Sequence, residues 1–188
     1  MSALGLVSRE LSREIIVGRR AVAAIGVGAM IVCLTLAAYA RVYLPFTPVP
    51  ITLQTFFVLV AGAALGQRLG TLSLASYLLL GTLGLPLFTG VWLGPTTGYL
   101  VGFVAAGWLI GRLTAGRATA VRLAVAMLVG TAVVYLFGAA WLAMFLGLGW
   151  QHAMAAGVLP FLPGDALKLA AAVAFCGSYR ERLRALFS

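Results

Sequence analysis

Residues 21–40 read AVAAIGVGAMIVCLTLAAYA, twenty residues without a charge between Arg20 and Arg41. A helix rises about 1.5 Å per residue, so a run of this length matches the roughly 30 Å hydrocarbon core of a bilayer. The composition of the whole chain also indicates a membrane protein, because 63% of its 188 residues are hydrophobic and 9% are charged. This composition excludes an ordinary soluble domain and predicts an all-α integral membrane protein.

Charged residues, prolines and glycines divide the remaining sequence into further apolar runs. The prolines of the segment 45–50 bar a continuous helix there, and Gly84-Leu85-Pro86 ends another run. We predict one membrane domain over residues 1–188, with a cytoplasmic amphipathic lead-in at 1–20. Its six transmembrane helices are expected at about 21–43, 51–66, 69–84, 97–111, 122–147 and 163–179.

The basic residues predict how these helices are oriented. Eleven of the thirteen lie in the lead-in, the second-to-third turn, the fourth-to-fifth turn and the C-terminal tail. The opposite connections carry Arg41 alone, and Lys168 lies inside the predicted sixth helix. Connections rich in arginine and lysine stay in the cytoplasm, so both termini are expected there. The connections at 45–50, 84–97 and 147–164 are then on the outer side.

The chain has one aspartate and one lysine, Asp165 and Lys168, three residues apart in an apolar segment. Positions i and i+3 share a helix face, so both side chains are expected to point the same way. Ionisable groups within a membrane segment are costly and by default mark a functional site. The pair can bind a small molecule that has hydrogen-bond donors and acceptors, or it can be a capping aspartate in an ion pair without a ligand.

Other chemistry is poorly represented in the sequence. His152 is the only histidine, so a multi-histidine metal cluster is excluded, and we expect it in a loop or an interface. The chain has no GxxxxGK[ST] loop for ATP and no basic-aromatic patch for nucleic acid. Cys33 and Cys176 lie in apolar runs and are predicted to be buried thiols.

Small residues recur at four-residue spacing, which lets helix backbones approach closely in lipid. One interpretation is that these residues form internal packing faces of the bundle. The alternative is that some of them, especially on the first helix, contact another membrane subunit. The sets are Ala29/Cys33/Ala37, Gly62/Gly66/Gly70, Gly98/Gly102 and Gly107/Gly111.

Three blocks of the sequence resemble the BioY family, the biotin-specific S components of energy-coupling factor (ECF) transporters. They are PFTPVPITLQTF at 45–56, GLPLF at 84–88 continuing to GPTTGY at 94–99, and PFLPGDALK at 160–168. The resemblance implies a six-helix S component in the cell membrane that captures biotin from outside with high affinity. It also implies partners, a transmembrane scaffold subunit and two cytoplasmic ATPases that use ATP, and no cofactor or enzymatic activity for this chain.

In the family, the residues similar to Asp165 and Lys168 contact the biotin head group. A carboxylate accepts hydrogen bonds from the two ureido N–H groups, and an ammonium donates to the ureido carbonyl. Further substrate-binding candidates are Tyr99, Trp92, Phe88, Gln54 and Thr52. Tyr99 and Trp92 are alternatively anchors at the membrane interface. Gln54 and Thr52 alternatively satisfy the broken backbone near the prolines.

Biotin's carboxylate needs a different partner. Some members of the family use an asparagine after the third helix for the ureido group and an arginine in the following loop for the carboxylate. This chain has no asparagine and no arginine between Arg68 and Arg112. Backbone N–H groups at a turn or helix start attract anions. We therefore expect the carboxylate to be held around Gly94–Gly98, including Gly98 itself, by these groups and by the hydroxyl of Thr96 or Thr97.

Three other functions are compatible with parts of the sequence. The chain can be an S component for another vitamin, or a solitary or secondary transporter that uses Asp165 as a proton site. An intramembrane enzyme is the third, although no plausible nucleophile and base are present.

Overall fold

The computed structural model describes residues 3–88, 93–147 and 149–187, which form a helical bundle with a small β-ribbon. A π-helical turn (Ala61–Leu65) follows α2, and a 3₁₀ turn (Leu159–Phe161) precedes α7. Strands β1 (Arg41–Val42) and β2 (Ile51–Thr52) pair antiparallel. The α-helices are α1 (Ala3–Tyr39), α2 (Gln54–Val60), α3 (Gly66–Thr82), α4 (Thr97–Leu113), α5 (Ala120–Leu146), α6 (Trp150–Gly157) and α7 (Leu162–Phe187).

Four described helical stretches are long and apolar enough to cross a membrane, which supports the predicted membrane protein. Helix α4 is also apolar but has 17 residues. The four stretches are Gly18–Tyr39, Gln54–Thr82, Ala120–Leu146 and Trp150–Leu186.

The structure differs from the predicted helix boundaries in three places. Helix α1 ends at Tyr39 rather than near residue 43, because the chain enters the ribbon with Arg41. Helix α7 continues beyond the predicted end at 179 to Phe187. The connection at 147–164, expected to be a loop, contains α6 and the 3₁₀ turn.

The chain reverses direction between α2 and α3 at Gly66. Its φ of 79° is one that glycine adopts without steric cost. Nε2 of Gln54 donates a hydrogen bond of 2.8 Å to the Tyr77 hydroxyl, which brings the two far ends of the hairpin together. Near the reversal, a methyl group on Gly70 would overlap the carbonyl oxygen of Ala61. The apolar stretch Gln54–Thr82 therefore folds as two antiparallel segments.

The regularly spaced glycines lie at contacts between helices. A methyl group on Gly62 would meet Gly107 and Ile110 of α4, and one on Gly98 would meet Trp141 of α5. Internal packing thus accounts for these glycine faces, as one of the two alternatives predicted.

The small-residue face of α1 is divided in the structure. Ala37 is buried inside the bundle, Cys33 is half-buried and Ala29 is exposed. Only the part of this face around Ala29 is therefore free to contact lipid or another subunit.

Arg180 ties α7 to two other elements at one end of the bundle. It is buried and donates hydrogen bonds to the carbonyl oxygens of Ala63, Thr114 and Gly116. Arg184 also donates to the Ala63 carbonyl, at 3.1 Å. These carbonyls lie near helix ends, where the backbone lacks its own partners. The arginines therefore position α7 along its length.

At the opposite end, three side chains hold the long connections against the helices. The hydroxyl of Tyr39 donates to the carbonyl oxygen of Pro86 at 3.0 Å. Trp141 donates from Nε1 to the Gly94 carbonyl at 2.9 Å, and the Tyr99 hydroxyl donates to the Gly157 carbonyl at 2.6 Å. The connections that the sequence analysis predicted on one side of the membrane therefore meet at one end of the bundle.

Candidate ligand-binding site

A cavity of about 150 Å³ lies at this end of the bundle. Its walls come from the segment after α1, from helices α2, α4, α5 and α7, and from the connection before α4. Most of the lining is apolar or aromatic, with a few polar groups, which is typical of small-molecule sites. The lining residues are Tyr43, Pro48, Val49, Pro50, Thr52, Gln54, Thr55, Phe88, Pro95, Thr96, Tyr99, Leu100, Phe103, Val134, Tyr135, Phe161, Asp165 and Lys168.

The predicted charged pair lies in the cavity wall. Asp165 is in the first turn of α7, where the positive end of the helix dipole favours a carboxylate. Nζ of Lys168 is 2.7 Å from its Oδ1, so the two side chains share one helix face as predicted. Their side chains are 7% and 12% exposed. Both charges are thus largely buried, and a buried charge without a partner would be costly.

Two further residues complete the polar cluster, and neither was predicted from the sequence. The hydroxyl of Thr55, in α2, donates to Oδ1 of Asp165 at 2.9 Å. The hydroxyl of Tyr135, in α5, donates to Oδ2 at 2.6 Å. Nζ of Lys168 also donates to the Thr55 hydroxyl oxygen at 3.2 Å. Four residues from three helices therefore form one hydrogen-bonded group.

The cluster retains capacity to bind a ligand. A carboxylate has about four acceptor positions, and Asp165 accepts three hydrogen bonds, two on Oδ1 and one on Oδ2. An ammonium has three donors, and Lys168 donates to Asp165 and Thr55. One acceptor position on Oδ2 and one N–H of Lys168 thus match a ligand that has a donor beside an acceptor.

Gln54 joins the cavity to the connection after α3. It is buried, and its Nε2 donates to the hydroxyl of Tyr77, which donates in turn to the Leu87 carbonyl at 3.0 Å. The Thr52 hydroxyl accepts from the backbone N–H of Gln54 at 3.3 Å. These hydrogen bonds hold Phe88, which follows Leu87, beside the Tyr77 ring, and the two ring centroids are 5.8 Å apart.

The other predicted site residues are divided between the cavity wall and its surroundings. Tyr99 and Thr96 line the cavity. Thr97 is buried, and Gly98 packs against Trp141 of α5, so both stand outside the lining set. Trp92 lies outside the described residues.

Some missed residues carried a usable signal in the sequence. Tyr135 is an isolated phenol within the long apolar run of α5, and Thr55 belongs to the block 45–56. The aromatic residues Phe103 and Phe161 also line the cavity. Phe161 belongs to the block 160–168, whereas Phe103 gave no such signal, because aromatic residues occur both in the core and facing lipid.

The described residues offer no evident metal site. Within 3–88, 93–147 and 149–187, no three histidine, cysteine, aspartate or glutamate side chains are grouped to hold an ion. His152 is exposed and lies in helix α6, within the connection that was expected to be a loop. Cys176 is buried as predicted and Cys33 is half-buried, and both are free thiols.

The fold is similar to that of a protein of known structure. The chain matches the crystal structure of the S component for biotin from an ECF-type ABC transporter with a TM-score of 0.76 and 25% identity. The match covers 96% of this chain and 95% of that one. The similarity therefore extends over the whole bundle.

Curated relatives agree with this structural match. The chain is 42% identical over 151 residues to the probable biotin transporter BioY of Pyrococcus horikoshii, covering 77% of this chain and 88% of that protein. It is 35% identical over 139 residues to the biotin transporter BioY of Thermotoga maritima, covering 71% and 82%. The model of the BioY family matches residues 9–185. The chain therefore belongs to the BioY family.

Proposed function

We propose that this protein is the biotin-binding S component of an ECF-type ABC transporter in the cell membrane, a transport subunit and not an enzyme. The observation that carries the proposal is the pair of Asp165 and Lys168 in the wall of a largely apolar cavity, in a chain of the BioY family. Membership of a transporter family supports the class of function, and the charged pair supports recognition of a ligand with hydrogen-bond donors and acceptors.

The polar cluster fits the ureido head of biotin. That group has two N–H donors and one carbonyl acceptor, held in a rigid ring. Oδ2 of Asp165 accepts from an N–H, and Lys168 donates its third N–H to the carbonyl. Hydrogen bonds that involve charged groups in a water-poor site are strong and directional. Thr55 and Tyr135 hold the carboxylate in place for this contact.

The apolar walls fit the rest of the molecule. Biotin's sulfur ring and aliphatic chain have no strong hydrogen-bonding groups, so they suit a surface of aromatic and aliphatic side chains. Tyr99, Phe103 and Phe161 supply such a surface in the cavity. We expect binding with high affinity, because the rigid fused-ring head of the ligand enters a largely pre-formed site.

The protein is further proposed to cross the membrane six times, with both termini in the cytoplasm and the cavity open to the outer face. The antiparallel hairpin at Gly66 supports two crossings by α2 and α3, and α1, α4, α5 and α7 supply the others. The excess of arginine at the end of the bundle away from the cavity supports this orientation.

Biotin uptake against a gradient requires partners, because the chain has no nucleotide-binding loop. We propose a transmembrane scaffold subunit and two cytoplasmic ATPases as these partners. We propose that Ala29, which is exposed on α1, belongs to the surface that contacts the scaffold, because a small side chain permits close helix contact in lipid.

Calorimetry of the purified protein in detergent tests the proposed ligand. Biotin should bind saturably with a stoichiometry near one, and so should desthiobiotin, which keeps the ureido ring but lacks sulfur. Lipoic acid has a similar acid chain and a sulfur ring but no ureido group, so it should not bind. Tight binding of lipoic acid, or of a different vitamin in preference to biotin, would contradict the proposal.

A further inference from the structure

One arginine lies at the end of the bundle where the cavity is. The connections at this end, residues 40–53, 83–96 and 147–161, contain Arg41 and no other arginine or lysine. Lys168 is engaged with Asp165 and Thr55 in the cavity wall. Arg41 is therefore the positive charge that these connections can offer to a ligand outside the polar cluster.

The β-ribbon sets the direction of the Arg41 side chain. Arg41 in β1 is directly opposite Thr52 in β2. Residues directly opposite each other in an antiparallel pair have side chains on the same face of the ribbon. Thr52 lines the cavity, so Arg41 projects from the face of the ribbon that the cavity uses.

Tyr43 fixes the guanidinium more closely. It follows Arg41 by two residues, and the side-chain period of an extended chain places both on one face. The guanidinium carbon of Arg41 lies 5.1 Å from the centroid of the Tyr43 ring. Tyr43 lines the cavity and is 62% exposed, which places its ring at the opening. The guanidinium therefore lies at the rim of the cavity.

We infer that Arg41 binds the carboxylate of the ligand whose ureido head is held by Asp165 and Lys168. The inference rests on the proposed function and extends it by a second binding residue at the other end of the ligand. A guanidinium presents a planar fork of N–H donors to a carboxylate. Stacking on Tyr43 holds that fork in place before the ligand arrives, which reduces the entropy lost on binding.

The backbone around Gly94–Gly98 supplies less than the sequence analysis expected. The N–H of Thr97 already donates to the Gly94 carbonyl at 3.2 Å, and the Thr97 side chain is buried and not among the lining residues. Thr96 lines the cavity and remains available beside the carboxylate. Arg41 thus fills the role for which the sequence offered no arginine between Arg68 and Arg112.

Biotin and biotinamide, whose tail is uncharged, separate this role from the rest of the site. Calorimetry in detergent should show that Arg41→Gln weakens biotin binding by about tenfold, as expected for the loss of one charge-assisted hydrogen bond. The same change should leave biotinamide binding unaltered. Raising the salt concentration should weaken the binding of biotin to the wild-type protein and leave that of biotinamide constant.

Arg68→Gln is the matched control, because Arg68 is exposed near the chain reversal at Gly66, at the far end of the hairpin from the cavity. It should change neither affinity. Tyr43→Leu provides a second variant if Arg41→Gln does not fold, and it should weaken biotin several-fold without affecting biotinamide.

Equal losses for both ligands in Arg41→Gln, or no loss for either, would overturn the assignment of Arg41 while leaving biotin binding intact. If the variants do not fold, equal salt dependence of the two ligands in the wild-type protein would overturn it as well. Failure of the wild-type protein to bind either ligand would instead remove the proposed function, and this assignment with it.

Discussion

The hydroxyl of Tyr135 donates a hydrogen bond of 2.6 Å to Oδ2 of Asp165, across 30 residues of sequence and between helices α5 and α7. The other carboxylate oxygen accepts from Thr55 and Lys168. Both oxygens are thus fixed by side chains of the protein, and the carboxylate has little freedom to rotate. A carboxylate held in this way presents its remaining lone pair in one direction, as a selective site requires.

Removing the Tyr135 hydroxyl should weaken biotin binding without unfolding the protein. A hydrogen bond to a charged group contributes about 1.5–3 kcal/mol, so Tyr135→Phe is expected to raise the Kd roughly tenfold or more. Calorimetry in detergent measures it. Tyr179→Phe is the control, because Tyr179 is an exposed phenol of α7 away from the cavity. An unchanged Kd in Tyr135→Phe would show that the fixed carboxylate is not needed for binding.

Replacing the charged pair distinguishes a ligand site from a structural ion pair. Asp165→Asn and Lys168→Met should each weaken biotin binding by at least about tenfold, because each removes a charged partner and strands the other.

The double variant Asp165→Asn with Lys168→Met decides between the two alternatives. Replacing a buried ion pair with neutral groups is often tolerated, so the double variant should fold. If the pair binds the ureido ring, the folded protein binds biotin poorly. Near-normal affinity in the folded double variant would assign the pair a structural role alone.

Labelling of single cysteines with an impermeant reagent tests the orientation. In a Cys33→Ala, Cys176→Ala background, cysteines at the exposed positions Phe46 and Leu159 should react from outside the cell. A cysteine at Arg117, also exposed, should react only after the membrane is made permeable. Labelling at Arg117 from outside would contradict capture from the outer face.

The hairpin between α2 and α3 makes a prediction about stability. Gly70→Ala places a methyl group against the Ala61 carbonyl oxygen, and such overpacking costs about 1–3 kcal/mol. Thermal unfolding in detergent should therefore occur at a lower temperature. Gly28→Ala is the matched control, since no atom lies within 4 Å of the added methyl group and alanine favours a helix by about 1 kcal/mol. Equal melting temperatures for the two variants would argue against the hairpin.

Docking to a scaffold subunit is tested at Ala29. Ala29→Leu adds bulk to an exposed position of α1, so uptake by cells that contain the partner subunits should fall while biotin binding stays normal. Ala132→Leu is the control, because Ala132 is an exposed alanine on α5. A parallel loss of binding and uptake in Ala29→Leu would indicate that this face serves internal packing.

The sequence predicted correctly that the side chains of Asp165 and Lys168 share one helix face. Asp165 and Lys168 are three residues apart in one helix, so local geometry was enough to place them on one face. Thr55 and Tyr135 were beyond such reasoning. They are 110 and 30 residues from Asp165, and contacts at that separation depend on how whole helices pack.

The sequence by itself determined that the chain is a helical membrane protein. Insertion into a bilayer depends on the length, hydropathy and flanking charge of each segment, which are local properties of the sequence. It did not determine which side of each helix faces inward, since lipid and protein core are both apolar and no amphipathic period marks the difference. Only the tertiary structure decided that Tyr135 meets Asp165, that the chain turns back at Gly66, and that Arg41 pairs with Thr52 across the β-ribbon. Each of these depends on contacts between distant segments.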